Sequence, residues 1–151
     1  QVSGRAGRKD DQGKVLIQVS QANHPVLQFV QQHNYPALFN FEIDNRQAFN
    51  YPPFSRIILI TCKHVDKNVA QEAANILMRG LSSNYGKYIT GPAQPVVDRI
   101  RNQYLWELLC KLPKQQVSIG TFKTRLQQQI LILQTNKRYR SVSIVINVDP
   151  L

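Results

Sequence analysis

The order of apolar patterns predicts an α+β fold, a split β-α-β-β-α-β, ferredoxin-like domain over residues 55–151 with two helices packed on one face of an antiparallel sheet. Three observations lead there. Residues 56–65, 104–111 and 141–148 carry strand patterns; helical stripes of three- and four-residue spacing separate them; and adjacent prolines at 52 and 53 cut this region off from what precedes it. With 151 residues, 42% of them hydrophobic, the chain can build one sizeable core.

The chain opens on the polar, glycine-rich stretch QVSGRAGR, followed by a charged turn over Lys9–Gly13 and a short apolar strand over Lys14–Val19. Six residues cannot make a sheet alone, so this strand is expected to have paired with preceding chain, making the sequence the C-terminal part of a longer protein. Asn23 is the expected N-cap of a first helix, with Pro25 in its first turn and Val26, Phe29 and Val30 on one face. A second helix from near Pro36 carries Leu38, Phe41 and Phe49. Tyr51-Pro52-Pro53-Phe54 ends it, because the residue before a proline avoids helical torsions. The expected division is therefore 1–20, a helical connector over 21–54, and a domain over 55–151.

Within that domain, Arg56–Val65 is a β-branched strand, and Asp66 or Asn68 caps a helix bearing Val69, Ala73, Ile76, Leu77 and Leu81. Val96–Arg101 and Tyr104–Lys111 are expected to form a hairpin, with Tyr104, Trp106, Leu108 and Cys110 on one face of its second strand. Ser118 or Thr121 starts a helix striped by Ile119, Phe122, Leu126, Ile130 and Leu133. In the last strand Val142, Ile144, Ile146 and Val148 alternate with Ser141, Ser143, Val145 and Asn147. The sheet face away from the helices is left to bind something.

The net charge of +10 and a pI near 10.0 point to a polyanionic partner. The excess is uneven: from Tyr85 onward ten Lys or Arg oppose only Asp98, Glu107 and Asp149, so +7 of the +10 lies in the last 67 residues. Cys62 and Cys110 sit in strand patterns with no metal-ligand spacing, and are read as reduced core residues. His24, His33 and His64 are scattered without an acid or nucleophile beside them, which argues against catalysis in this part of the protein. No apolar run approaches the roughly 20 residues needed to cross a bilayer, so a soluble, cytoplasmic protein is expected.

In Gln1-x-x-Gly4-Arg5-x-Gly7-Arg8 the glycines permit a tight turn and two guanidiniums stand three residues apart. Arginines so placed can stabilise charge on a γ-phosphate; the same residues also suit a flexible basic tail. No phosphate-binding loop G-x-x-x-x-G-K-[ST] and no D-E-x-H occurs in the chain, so ATP hydrolysis by this part alone is not expected.

The QxxGRxGR stretch resembles the last motif of superfamily-two helicases, which implies that Arg5 and Arg8 are arginine fingers of a larger ATPase, with Gln1, Gly4 and Gly7 shaping the ATP motif and residues 1–20 ending a RecA-like lobe. NYPPFSRI (50–57), GPAQPV (91–96), QYLWELLCK (103–111) and NVDP (147–150) resemble, in the same order, the C-terminal region of the PriA, or primosomal protein N′, family of replication-restart helicases. The resemblance covers nearly the whole chain. It implies a 3′–5′ DNA helicase that restarts stalled forks and assembles the primosome. It also implies a ribosomal-protein-like C-terminal module that touches DNA and single-stranded-DNA-binding protein. ATP, magnesium and zinc belong to the parent protein, with no cofactor or metal expected in this part.

For DNA contact the candidates are Arg99, Arg101, Lys111, Lys114, Lys137, Arg138, Tyr139 and Arg140, cations for phosphates with one aromatic inside the basic run 137–140. Tyr85 and Tyr88 are further stacking candidates, whereas Tyr104 and Trp106 suit a core. The rival reading is a protein-interaction module of the restart machinery that uses the free sheet face. An RNA-binding domain of the same fold is disfavoured because the aromatic strand pattern of such domains is absent.

Overall fold

The computed structural model describes residues 15–150, which fall into two compact units, one up to Glu42 and one from Ile43. In the first, α1 (Pro25–Gln31) starts one residue later than the sequence reading placed it. His24, not Asn23, is the N-cap: its Nδ1 accepts the Val26 N–H at 3.3 Å, and Pro25 occupies the first turn. Asn34 Oδ1 accepts the Ala37 N–H at 3.1 Å and opens α2 (Tyr35–Ala48). The rings of Phe29 and Phe41 pack 5.8 Å apart between the two helices. Val30 and Phe49, assigned to their apolar faces, are exposed. Val15–Val19 form no ladder here.

The second unit holds β1 (Ser55–His64), α3 (Lys67–Tyr85), a 3₁₀ turn at Gly86–Tyr88, β2 (Ile89–Ala93), β3 (Arg99–Ile100), β4 (Gln103–Pro113), α4 (Ile119–Thr135) and β5 (Ser143–Val148). The sheet runs β2-β4-β1-β5 with every pair antiparallel, and β3 pairs with β4. Because β4 is inserted between β1 and β2, this is the split β-α-β-β-α-β order that the sequence predicts. Asn50, at φ 51°, turns the chain out of α2, and its carbonyl accepts the buried Ser55 hydroxyl at 2.5 Å, fixing the start of β1.

Register decides which side chains are buried. Ile58 stands opposite Cys110 and Val148, Ile60 opposite Leu108 and Ile146, and Cys62 opposite Trp106 and Ile144. This face meets Val69, Ala73, Ala74, Leu77 and Leu81 of α3 and Phe122, Leu126 and Leu133 of α4 in one core. Each fully buried Val, Leu, Ile or Phe side chain among them contributes about 1.5–3 kcal/mol. Asp66 caps α3 by accepting the Asn68 and Val69 N–H groups, and Ser118 caps α4 through the Thr121 N–H. Both caps were legible. Coverage fails at the far end of β5, where Ile146 and Val148 share the helix-side face yet remain 46% and 43% exposed.

The hairpin needs correcting. Only Arg99–Ile100 of the expected strand over residues 96–101 pairs with β4, while Val96 and Val97 stand out in solvent. The second full strand is β2, hidden in sequence by Gly91-Pro92, which interrupts any alternation. Gly91 has φ 113°, and a Cβ there would lie 2.6 Å from the Glu107 carbonyl oxygen of β4. Its lack of a side chain is what lets β2 lie against β4 across a register shift between Thr90 and Ala93.

Two outcomes follow for stability and thiol chemistry. Gly91→Ala should lower the unfolding free energy in urea by about 1–3 kcal/mol. Gly86→Ala, where φ is −52° and the new Cβ meets only ordinary contacts at 3.5 Å, should stay within about 1 kcal/mol of the parent. Cys62 and Cys110 are wholly buried and free, and burial pushes each thiol up to about 12. A thiol-specific chromogenic reagent should therefore leave both untouched in the native protein and react fully only in denaturant.

Candidate nucleic-acid interface

The antiparallel register sorts the basic residues into two groups. β1 spans ten residues, so its ends lie roughly 30 Å apart at about 3.3 Å per residue. Near His64 come the start of α3, the β3–β4 turn and the 136–142 loop. Near Ser55 come Pro113, Lys114, the start of α4 and the end of β5. Of the candidate residues, Arg99, Arg101, Lys137, Arg138, Tyr139 and Arg140 belong to the His64 end, and Lys111 and Lys114 to the Ser55 end.

At the His64 end, β3 and β4 are joined by the two residues Arg101 and Asn102, both at positive φ (49° and 63°), as a two-residue hairpin of type I′ requires. The turn points Arg101 outward. Arg99 donates to Asn102 Oδ1 and lies over the Tyr104 ring at 5.0 Å. Across this end, His64 Nε2 and Ser141 Oγ share a hydrogen bond of 3.1 Å that ties the 136–142 loop to β1. In that loop Lys137 and Arg140 are exposed, but Arg138 is paired with Glu72 of α3 at 2.8 Å. The other Glu72 oxygen accepts the Tyr139 hydroxyl at 3.0 Å, which, with burial, holds Tyr139 above the usual phenol range.

Tyr139 therefore serves the fold: its ring packs on the core and its hydroxyl is engaged, so stacking on a base is not what this geometry offers. The same holds for Tyr85, edge-on to Phe122 at 5.0 Å, and for Tyr88, which packs on the core with its hydroxyl donated to Gln116 Oε1 at 2.9 Å. Trp106 also packs on the core. The acids near this end are committed, Asp66 to the α3 cap, Glu72 to Arg138 and Tyr139, and Asp98 to Gln94 at 3.2 Å. Arg101, Lys137 and Arg140 are left presenting charge to solvent, beside the Tyr104-stacked Arg99.

At the Ser55 end, Lys111 lies 4.0 Å from the Tyr51 ring centroid, and the Lys114 N–H is donated to the Phe54 carbonyl at 3.1 Å. Arg56 was not singled out from sequence, because it begins a strand pattern. It is ion-paired to Asp149, whose carboxylate also accepts the Ile57 N–H at 2.9 Å, while the Asp149 N–H is donated to Ile57 O at 2.7 Å. This clasp gives the Asp of NVDP a structural role. Lys123 lies beside Arg56 and Lys114 only in the fold.

The face of the sheet away from the helices carries Leu59, Thr61 and Lys63 of β1, Leu105, Glu107 and Leu109 of β4, and Val145 of β5. It is not bare: Leu105 and Thr61 are buried, and the Thr61 hydroxyl is donated to Glu107 at 3.2 Å. Gln1, Gly4, Arg5, Gly7 and Arg8 lie outside the described residues. Among the described residues no cluster of His, Cys, Asp or Glu could hold a metal ion, and no helix is long and apolar enough to cross a membrane.

The backbone N–H of Ile57, burial aside, and the neighbouring Arg56 lower the Asp149 pKa. A carboxylate depressed in the folded state contributes stability that is present above its unfolded value and lost as pH falls through the folded one. Asp149→Asn should therefore remove part of the acid-side loss of stability, so that melting curves of variant and parent converge as pH drops through the carboxylate range and separate above it.

Residues 47–151 match the family described as the primosomal protein N C-terminal domain. The replication restart protein PriA of Synechocystis sp. is 36% identical over 158 aligned residues, which cover 100% of this chain and 17% of that protein. The PriA of Bacillus subtilis is 30% identical over 99% of the chain and 18% of its own length, and that of Haemophilus influenzae 27% over 99% and 20%. The chain thus spans no more than a fifth of the length of these relatives. The family match takes in the whole sheet and both helices on it, and its relatives align from end to end of the chain: it belongs to the PriA family of replication restart proteins.

Proposed function

We propose that this chain is the DNA-gripping C-terminal part of an ATP-dependent 3′–5′ helicase that restarts stalled replication forks and assembles the primosome in the bacterial cytoplasm. The domain would follow the end of a RecA-like lobe at residues 1–20 and a connector at 21–54. The parent protein hydrolyses ATP with magnesium and carries zinc elsewhere, and Arg5 and Arg8 act there as arginine fingers beside Gln1, Gly4 and Gly7.

The observation that carries the DNA reading is the cluster of cations at the His64 end. Arg99, Arg101, Lys137 and Arg140 come from a rigid two-residue turn and a tied loop, and the acids nearby are already engaged. Such a surface contacts phosphates without reading bases, because Tyr139 is packed on the core with its hydroxyl engaged and the Tyr104 ring is covered by Arg99. Its role is to hold DNA in place for the remainder of the protein.

The expected behaviour is steep salt dependence, each phosphate contact contributing about 0.9 to the slope of log affinity against log salt. Fluorescence anisotropy on forked, duplex and single-stranded DNA should show binding that falls log-linearly with salt. Lys137→Ala with Arg140→Ala should flatten the slope by about 2. Absence of binding even at low salt would favour the protein-interaction reading, with single-stranded-DNA-binding protein or another primosome component on the open sheet face.

A further inference from the structure

The edge of the sheet at the His64 end carries apolar side chains that neither the core nor the phosphate contacts proposed above use. Between β2 and β3 the chain runs Gln94-Pro95-Val96-Val97-Asp98. Val96 is fully exposed, at 106%, and Val97 is 61% exposed, while Ile100 of β3 is half-exposed. Aliphatic groups left in water forgo the gain of burial, and neither valine belongs to the core.

The tip that bears them is held at its base. There the Gln94 side-chain amide donates to the Asp98 carboxylate at 3.2 Å, and the Asp98 carbonyl accepts the Leu105 N–H of β4 at 2.8 Å. The following residues enter the two-residue turn that presents Arg101, and Arg99 is steadied over the Tyr104 ring. At no more than about 3.6 Å per residue, the backbones of Val97 and Arg101 lie within roughly 14 Å of each other. Asp98 is the one acid between Gln94 and Asn102, against two arginines, so the segment is net positive.

An apolar tip flanked by cations matches the open face of a base pair, an apolar plane with a phosphate at each side. Stacking hides that face along a continuous duplex and leaves it open where the stack ends, as at the branch of a fork. Side chains that drive into an intact step are long or ring-shaped, such as Phe, Leu, Ile or Met, whereas valine is short and stiff and suits covering a face already open. We infer that the Val96-Val97 tip caps the end base pair of the duplex at a fork branch, with Arg99 and Arg101 on the phosphates beside it. The inference rests on the DNA reading above. It gives that grip a preference for branched structure that is blind to sequence, since every base has such a face.

The test uses the whole chain on a duplex closed by a loop at one end and opening into single-stranded arms at the other, beside the same duplex closed at both ends. The base analogue 2-aminopurine, whose emission is quenched by stacking, replaces adenine in the branch pair. The parent should lower that emission by holding the pair on the stack, and should bind the forked DNA more tightly than the closed one. Val96→Ser with Val97→Ser leaves the bonds at Gln94 and Asp98 in place, so its circular dichroism spectrum should be unchanged. Its salt slope should be unchanged too, because no cation is lost. It should nevertheless lose the emission change and bind the forked DNA about fivefold to tenfold more weakly, the equivalent of returning most of one valine's burial. A double variant that matches the parent in emission and affinity would overturn the cap and leave the DNA reading standing. A parent that binds neither DNA even at low salt would overturn both. If the parent self-associates in sedimentation and the double variant does not, the tip is a contact between copies and the inference fails.

Discussion

Everything in the second unit hangs on β1. It is the one strand bonded along most of its length on both sides, to β4 over ten pairs and to β5 over six, and its alternation divides the side chains of the sheet. Ile58, Ile60 and Cys62 go to the helices; Leu59, Thr61 and Lys63 go to the other face. Since side chains alternate with period two, a slip of one residue would drive Lys63 and Thr61 into the core and expose the isoleucines. That penalty fixes the register, and the register in turn fixes which loops and termini share an end of the domain.

The electrostatic layout is a consequence of that register. Arg56 is far from Lys114 and Lys123 in sequence and meets them because the start of β1 pairs with the end of β4, from which the chain turns directly into α4. Arg101, Lys137 and Arg140 meet at the opposite end for the same reason. The net positive charge of the chain is thus divided between two separated surfaces. The engaged acids sharpen the separation: Glu72 and Asp149 each bind a nearby cation and a backbone or hydroxyl donor, so their charges are spent locally.

Most of the fold was legible because its elements obey one period each. The α3 and α4 stripes, the Asp66 and Ser118 caps, and the alternation in β1 and β4 all hold in three dimensions. What escaped was set by geometry with no period. β2 is five residues interrupted by Gly91-Pro92, and its glycine reports a neighbour 16 residues away, the Glu107 carbonyl, that no local pattern shows. The site was legible only as a list of cations. Sequence could not show that Arg138 is neutralised by Glu72 or that Tyr139 is turned inward, since both depend on a helix 66 or 67 residues earlier.

The Asp149 clasp also constrains how the domain is made. It joins residues 92 positions apart, so at about 5–20 residues per second a growing chain waits roughly 5–18 s between emergence of β1 and arrival of the strand that closes its flank. During that interval the edge of β1 later taken by β5 presents an apolar, unpaired ladder, the feature that recruits foreign strands. Newly made molecules are therefore vulnerable to aggregation until their last strand arrives, and a chain cut off shortly before Val142 would leave that edge open for good.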